Sequence, residues 1–146
     1  MIRRMTEADL LAVVRLEQEN FSVPWTEAGL RESLNLPEYL FLVAEEERKV
    51  VGYAGLYRVL DEGDVTNIVV DEQFRGKGIG THLTRELLEE GKKEGVRAFT
   101  LEVRFSNMSA IRIYERLGFV QEGIRKGFYE KPLEDARIMW KREPEQ

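Results

Sequence analysis

Length, composition and charge restrict this chain to one ordinary globular domain: 146 residues, 42% of them hydrophobic, are enough for a buried core. Twenty-two Lys and Arg residues against 27 Asp and Glu residues give a net charge of −5, so the chain is a poor general nucleic-acid binder. The absence of cysteine excludes a disulfide scaffold and a cysteine nucleophile, and a single histidine, His82, disfavours a His-rich metal site or a Ser-His-Asp triad.

Neither an export signal nor a membrane span is evident. The start, Met1–Met5, is charged and leads into a polar segment, and no apolar run reaches the roughly 18 residues of a spanning helix. We therefore expect a cytoplasmic protein without a membrane or nucleic-acid partner. The oligomeric state is not readable from the sequence, although a monomer is favoured.

The first half of the chain is predicted to form a strand, two helices and a strand pair. Apolar residues recur at helical spacing after a Thr6–Asp9 capping pair, and Thr26 can cap a second helix before Pro37. The expected elements are a strand at Ile2–Arg4, a helix with Leu10, Val13, Val14 and Glu17 on one face, a loop at Phe21–Trp25, a helix at Thr26–Leu34, and strands at Tyr39–Glu45 and Val50–Tyr57.

The second half alternates strands and helices. The expected elements begin with a turn at Asp61–Asp64, a strand at Val65–Val70, a helix from Ile79 to about Lys93 ended by Gly95, and a strand at Val96–Val103. A helix follows from Ser106 or Asn107 to Leu117, where Gly118 stops it. The chain then has strands at Phe119–Ile124 and Ala136–Lys141, a charged loop at Arg125–Asp135 between them, and a frayed tail at Glu143–Gln146. This order predicts an α+β or α/β domain whose mixed, mostly antiparallel sheet is covered by helices.

A glycine-rich stretch between a strand and a helix is the strongest functional signal. Three glycines alternate along residues 76–80, after the strand Val65–Val70 and at the start of the helix that begins near Ile79. Glycine lets a ligand approach the backbone, and a helix start offers unpaired N–H groups and a positive dipole end. Such a loop suits a phosphate or pyrophosphate, and Arg75 and Lys77 add positive charge beside it.

Three phosphate-binding patterns compete for this loop. A Walker A loop needs Lys and Ser/Thr directly after its last glycine, where this chain has Thr81 and His82. A dinucleotide fingerprint needs a third glycine at Thr81 and a closer preceding strand. The pattern (Arg/Gln)-x-x-Gly-x-(Gly/Ala) is met in full by Arg75, Gly78 and Gly80. A glycine-rich turn that binds nothing is the remaining alternative.

A carboxylate and a phenol are candidates for chemistry beside the loop. Glu102 lies on the strand face opposite the apolar residues, and glutamate is rarely buried without a partner. The alternative is a surface carboxylate, in water or in a salt bridge with Arg104 or Arg97. Tyr114 shares one helix side with Asn107, because seven residues span about two turns.

Spacing alone favours ordinary roles for three of these polar residues. On this basis Tyr114 is a core aromatic residue, Asn107 is a helix cap, and His82, in the first turn of the helix after the loop, is a surface or packing residue.

Together these segments resemble the GNAT superfamily of acetyl-coenzyme A-dependent N-acetyltransferases. Arg75–Gly80 is similar to its pyrophosphate loop, and Asn107–Phe119 to its pattern Asn-x-x-Ala-x-x-x-Tyr-x-x-x-Gly-Phe. The finer resemblance, over about Ile2–Lys141, is to the RimI branch, the N-terminal alanine acetyltransferases of ribosomal proteins. It rests on Pro24-Trp25, Asn67-Ile68 before Val69-Val70-Asp71, Leu101-Glu102-Val103-Arg104 with Ser106-Asn107, and Arg125–Tyr129 with Asp135-Ala136 and Met139. Phe128 departs from that branch, which often has a second tyrosine there, and the departure puts a hydroxyl contact to substrate in doubt.

The resemblance implies a fold, a reaction and a set of residue roles. The fold would be the three-layer GNAT acyl-CoA N-acyltransferase fold, with about six to seven strands and about four helices. Acetyl-CoA would be the co-substrate, without a metal, and the acceptor would be the N-terminal alanine of the eighteenth protein of the small ribosomal subunit. Glu102 would be the general base and Tyr114 the general acid. The coenzyme-binding residues would be Ile68, Val69 and Val70, which would pair their backbone with the pantetheine arm, then Arg75, Gly76, Lys77, Gly78, Ile79, Gly80 and Thr81 around the pyrophosphate, and Asn107.

An α-amine acceptor is compatible with a glutamate base. An α-amine has a pKa of about 7.7–8.0 against about 10.4 for lysine, so freeing a lysine amine costs about 3 kcal/mol more. We expect direct transfer in a ternary complex. This mechanism needs no covalent acyl-enzyme, which agrees with the absence of cysteine.

Two other functions remain open at this stage. One is a GNAT acting on a polyamine, an amino sugar or a lysine side chain, a choice that the loops at Phe21–Trp25, Leu56–Glu62 and Arg125–Asp135 would decide. The other is a non-catalytic acetyl-CoA sensor, which has no use for the pair Glu102 and Tyr114. A weaker hypothesis is that Glu62 or Glu102 attracts a basic substrate N-terminus.

Overall fold

The computed structural model describes residues 1–144, which form one seven-stranded sheet with helices on both faces. The strands are β1 (Ile2–Arg4), β2 (Tyr39–Glu46), β3 (Lys49–Val59), β4 (Glu62–Val70), β5 (Ala98–Arg104), β6 (Val120–Glu130) and β7 (Leu133–Arg142). The helices are α1 (Leu10–Asn20), α2 (Glu27–Leu34), α3 (Ile79–Lys93) and α4 (Met108–Arg116). The strand order is β1-β2-β3-β4-β5-β7-β6, and β4 with β5 is the parallel pair among antiparallel neighbours. The predicted mixed, mostly antiparallel sheet is confirmed.

Side-chain caps fix where two helices begin. Thr26 Oγ1 accepts a hydrogen bond from the Gly29 amide at 3.0 Å, and Asn107 Oδ1 accepts one from the Ala110 amide at 3.3 Å. Each cap satisfies an amide that has no partner within the first turn of a helix. Both helix starts therefore agree with the sequence prediction.

The sheet separates two hydrophobic clusters, because side chains alternate between the faces of a strand. The cluster under α3 and α4 includes Leu42, Leu56, Leu83, Leu87, Phe99, Leu101 and Ile111. The cluster under α1 and α2 includes Leu10, Val13, Leu16, Leu30, Phe41, Val43, Tyr53 and Val69. Both faces of the central strands are therefore covered, which leaves few positions where a polar side chain can reach a ligand.

Two predicted segments were wrong. The expected charged loop at Arg125–Asp135 is instead a hairpin, in which β6 pairs with β7 around a turn at residues 131–132. Its charged residues are tolerated because β6 is the exposed edge strand of the sheet. The expected turn at Asp61–Asp64 is shorter, since β4 already begins at Glu62.

The predicted frayed tail is also corrected in part. The Glu143 amide donates a hydrogen bond to the Arg97 carbonyl at 2.8 Å, so the chain is still attached there. Residues 145–146 lie outside the described residues. Within residues 1–144, no helix is both long enough and apolar enough to cross a membrane.

Candidate active site

A cavity of about 810 Å³ lies where β4 and β5 separate. The two strands pair only at residues 62–64 and 98–100, and beyond this point residues 64–68 and 101–104 line the cavity from opposite sides. The edge of β4 that faces the cavity therefore presents backbone groups to it. An extended ligand can hydrogen-bond to such an edge as an added strand does.

A β-bulge decides which side chains of β4 face each helix layer. Between Val65 and Asn67 the pairing with β3 shifts by one residue and leaves Thr66 as the extra residue. Val65 therefore packs in the cluster under α3, whereas Val69 packs in the cluster under α1. Asn67 faces the same way as Val69, toward α1.

Glu102 lines the cavity from β5, with about a fifth of its side chain exposed. Its Oε2 lies 3.6 Å from Arg125 Nη1 on β6. Arg104, which the alternative interpretation offered as a partner of Glu102, instead pairs with Glu134 at 3.3 Å. The sequence predicts a loop at Arg125, whereas in the structure the β6–β7 hairpin brings Arg125 next to Glu102.

Further polar groups near Glu102 were missed by sequence reasoning. Asp64 lines the same cavity, and burial together with the nearby Glu102 carboxylate raises the pKa of Asp64 to about 6, against a smaller lowering effect of Arg125. Burial and Glu102 also raise the pKa of Tyr129. A signal for Asp64 was present in the sequence. Polar residues at Glu62 and Asp64 alternate with Gly63 and Val65, which is the pattern of a strand with one polar face.

The hairpin also brings the one departure from the family pattern into the cavity. Phe128 and Tyr129 both line it, with their rings in an edge-to-face arrangement at 5.0 Å between centroids. The phenyl ring at position 128 therefore lines the cavity where the RimI branch often has a tyrosine, so this chain has no hydroxyl at that position.

Two cavity-lining residues come from the α4 side of the sheet: Tyr114 lies in α4, and Asn107 is the residue directly before it. Burial raises the pKa of Tyr114 to about 12, so the phenol keeps its proton at neutral pH. Its ring packs edge-on against Phe119 at 5.9 Å. Glu102 thus projects from β5 on the α1 side of the sheet, whereas Tyr114 lies in α4 on the other side. They share one cavity because β4 and β5 separate.

The glycine loop lies beyond the cavity, between the end of β4 and the start of α3. Gly76 and Gly78 have φ angles of +80° and +81°, a conformation that L side chains rarely adopt. A Cβ added at either glycine would meet nothing within 4 Å, so the space above both is open. An open turn that leads into the N-terminus of a 15-residue helix fits a pyrophosphate group.

Arg75 keeps the positive charge expected beside this loop, because both of its hydrogen-bond acceptors are neutral groups. Its Nε donates to the Val70 carbonyl at 3.1 Å, and its Nη2 donates to Asn20 Oδ1 at 2.5 Å. Arg75 therefore ties the loop to the end of β4 and to the end of α1. Lys77 lies over the Phe74 ring at 5.1 Å.

Two other predicted polar residues lie outside the cavity lining. His82 is mostly exposed and sits 3.8 Å from Glu86, in agreement with a surface role. Glu62 is an exposed residue at the start of β4, so Asp64 and Glu102 are the carboxylates better placed to attract a basic substrate.

The sequence itself matches a known family over most of the fold. Residues 10–119 match the Acetyltransferase (GNAT) family, a region that runs from α1 through α4 and contains the glycine loop, Glu102 and Tyr114. The chain belongs to the GNAT acetyltransferase family.

Relatives of this GNAT enzyme have names that describe one activity. A Bacillus subtilis (strain 168) protein, provisionally named a [ribosomal protein bS18]-alanine N-acetyltransferase, is 36% identical over 140 residues, which are 95% of this chain and 93% of that protein. The [Ribosomal protein bS18]-alanine N-acetyltransferase of Escherichia coli (strain K12) is 35% identical over 136 residues, which are 93% of this chain and 90% of that protein.

A solved structure of a protein with the same named activity is also similar to this chain. The ribosomal-protein-S18-alanine N-acetyltransferase from Escherichia coli has a TM-score of 0.90 and 34% identity, and the match covers 100% of this chain and 95% of that one. The expected GNAT fold and the resemblance to the RimI branch are confirmed.

Proposed function

We propose that this GNAT acetyltransferase moves the acetyl group of acetyl-CoA onto the α-amine of an N-terminal alanine, and that its acceptor is ribosomal protein bS18. The names of the relatives support the acceptor. The observation that carries the chemistry is that Glu102 and Tyr114 line one cavity. A carboxylate can accept the proton of the amine there, and a protonated phenol can donate one.

The acceptor amine enters on the side of α1 and the β6–β7 hairpin. Asp64 and Glu102 give this part of the wall negative charge, which favours a protonated amine. Glu102 takes the proton that the amine must lose before it can attack. The contact with Arg125 at 3.6 Å keeps the Glu102 side chain at the cavity wall.

The coenzyme supplies the acetyl thioester, and three parts of the chain hold it. The loop residues Gly76, Lys77, Gly78, Ile79, Gly80 and Thr81 bind the pyrophosphate through backbone N–H groups. The free edge of β4 at residues 68–70 pairs with the pantetheine arm. Asn107 contacts the coenzyme at the start of α4. Arg75 adds positive charge beside the pyrophosphate and also fixes the end of β4.

Transfer is direct, within a ternary complex. The amine nitrogen forms a bond to the acetyl carbon, the carbon–sulfur bond breaks, and Tyr114 donates its proton to the departing thiolate. The nitrogen then loses its remaining extra proton, which leaves a neutral amide and restores the Tyr114 phenol. The high pKa of Tyr114, about 12, keeps that proton available at neutral pH. No covalent acetyl-enzyme takes part.

A coenzyme A release assay with a panel of acceptors tests this proposal. The panel contains short peptides that begin with alanine, serine or methionine, the same peptides with blocked N-termini, and spermidine. The variant is Glu102→Gln, and its matched control is Glu62→Gln, which neutralises an exposed carboxylate outside the cavity lining. We expect turnover of the free alanine-led peptide, a loss of about 100-fold or more in Glu102→Gln and no change in Glu62→Gln.

Other outcomes would contradict specific parts. Turnover of spermidine or of blocked, lysine-bearing peptides would keep the family and reject the substrate. Acetyl-CoA binding without turnover of any acceptor would point to a sensor. Ping-pong kinetics with an isolable acetyl-enzyme would reject direct transfer.

A further inference from the structure

A buried carboxylate beside the cavity has no part in the chemistry above. Glu17 lies in α1, and its side chain is fully buried against the sheet. Its hydrogen-bond partners within residues 1–144 are neutral donors from three separate segments. Glu17 therefore differs from the usual buried carboxylate, which has a positively charged partner.

The three donors enclose the carboxylate completely. The Trp25 amide donates to Oε1 at 2.9 Å, Asn67 Nδ2 donates to Oε2 at 2.8 Å, and the Tyr53 hydroxyl also donates to Oε2. Burial and the neighbouring Glu17 charge raise the pKa of Tyr53 far above its usual range, so Tyr53 stays a donor. Trp25, Asn67 and Glu17 all belong to the cavity lining, although the Glu17 side chain is fully buried.

Packing alone does not require a carboxylate at this position. Transfer of a charged group out of water costs free energy, and an apolar side chain of similar size is often as stable or more stable in such a place. What an apolar side chain lacks is the ability to orient its neighbours through hydrogen bonds. A role for Glu17 therefore depends on the groups that its hydrogen bonds orient.

Asn67 is the oriented group that faces the cavity. Its Nδ2 donates to Glu17 and, at 3.2 Å, to the Tyr53 hydroxyl oxygen. Because a carboxylate only accepts hydrogen bonds, the amide must turn its NH₂ toward Glu17 and its carbonyl away. Asn67 Oδ1 accepts no hydrogen bond from any group in residues 1–144, and Asn67 lies on the side of the sheet from which Glu102 also projects.

We propose that Glu17 is a positioning residue that turns the side-chain carbonyl of Asn67 into the cavity, where Oδ1 accepts a hydrogen bond from an N–H of the acceptor α-amine. This inference rests on the proposed function, because it needs an amine acceptor in this cavity. The amine carries more than one N–H, so it can donate to Asn67 while Glu102 receives the proton that leaves. Asn67 thereby becomes a binding residue for the acceptor.

Two variants test the two parts of the inference. Asn67→Leu keeps the size of the side chain and removes its carbonyl. Glu17→Gln keeps the shape but adds an NH₂ group, so the Asn67 amide can turn over and present NH₂ to the cavity. We expect kcat/KM for the alanine-led peptide to fall about 3- to 10-fold in each, through KM, while the KM for acetyl-CoA stays within about twofold.

Controls separate positioning from loss of structure. Tyr53→Phe removes one donor to Glu17 and the longer of the two hydrogen bonds made by Asn67 Nδ2, but leaves the bond between Asn67 and Glu17. It should therefore keep the peptide KM within about twofold. The double variant should be no worse than Asn67→Leu, because Glu17 acts through Asn67. Calorimetric binding of the peptide to the coenzyme A-loaded protein gives the same comparison without turnover, and thermal melts check that each variant is folded.

The outcomes distinguish this inference from the proposed function. If wild-type protein acetylates the peptide and Asn67→Leu leaves its KM unchanged, the inference alone is wrong. If the losses of the two single variants multiply in the double variant, Glu17 does not act through Asn67. If the wild-type protein neither binds nor acetylates the peptide, the proposed function fails and the inference fails with it.

Discussion

Alanine substitutions at two glycines of the loop should have opposite effects. Gly78 has a φ of +81° and Gly80 has no such constraint. An L-residue in the left-handed conformation costs about 1–2 kcal/mol, so Gly78→Ala should destabilise the fold by that amount. A Cβ at Gly80 would make an ordinary contact with Val70 Cγ2 at 3.6 Å, and alanine in a helix is up to about 1 kcal/mol more favourable than glycine.

The two variants should also differ in coenzyme binding. The Cβ of Gly78→Ala would enter the open space that we assign to the pyrophosphate, so we expect the Kd for coenzyme A to rise at least about tenfold. Gly80→Ala should keep the Kd within about twofold, because the loop pattern accepts glycine or alanine at that position. Gly78→Ala therefore loses stability and affinity together, whereas Gly80→Ala loses neither.

Thermal melts with and without coenzyme A measure both effects. For a domain of this size, 1 kcal/mol corresponds to about 3–4 °C in Tm, so Gly78→Ala should melt about 3–8 °C lower and Gly80→Ala up to about 4 °C higher. Ligand at 100 times its Kd adds about 2.7 kcal/mol, and a tenfold weaker Kd reduces that to about 1.4 kcal/mol. Equal Tm values and equal protection by coenzyme A in the two variants would refute the reasoning.

Three further predictions follow from individual side chains. Tyr114→Phe should lower kcat about 100-fold with peptide affinity unchanged. Because the pKa of Tyr114 is about 12, deprotonation of this group should not lower the wild-type kcat between about pH 6 and 9. Steady-state kinetics measure both. Arg3 holds the pKa of Asp9 below its usual value, so their pair stabilises the fold at neutral pH and that contribution is lost as the pH falls below about 4; Asp9→Asn should cost about 1–3 kcal/mol at pH 7 and less in acid, by urea unfolding. The pKa of Asp64 is raised from 3.8 to about 6, so its ionisation lowers stability progressively between these values and fully above about pH 6. Asp64→Asn should therefore raise the Tm more at about pH 7.5 than at about pH 4.5.

The sequence by itself determined the order of the elements and the local parts of the site. The Thr26 and Asn107 caps, the glycine loop and the alternation that separates Glu102 from its apolar neighbours all depend on residues only a few positions apart. Helical and strand periodicity act over the same short range, so they are readable without a structure. The resemblance to the GNAT family depended on these same segments.

Only the tertiary structure decided how these parts form one cavity. Separation of β4 and β5 brings Glu102 and Tyr114 together from opposite sides of the sheet, and the β6–β7 hairpin places Arg125 beside Glu102. Glu17 and Asn67 are 50 residues apart in the chain and meet only when α1 packs on the sheet. Local sequence patterns contain no information about such pairings, because their free energy comes from contacts that exist only after distant segments have packed together.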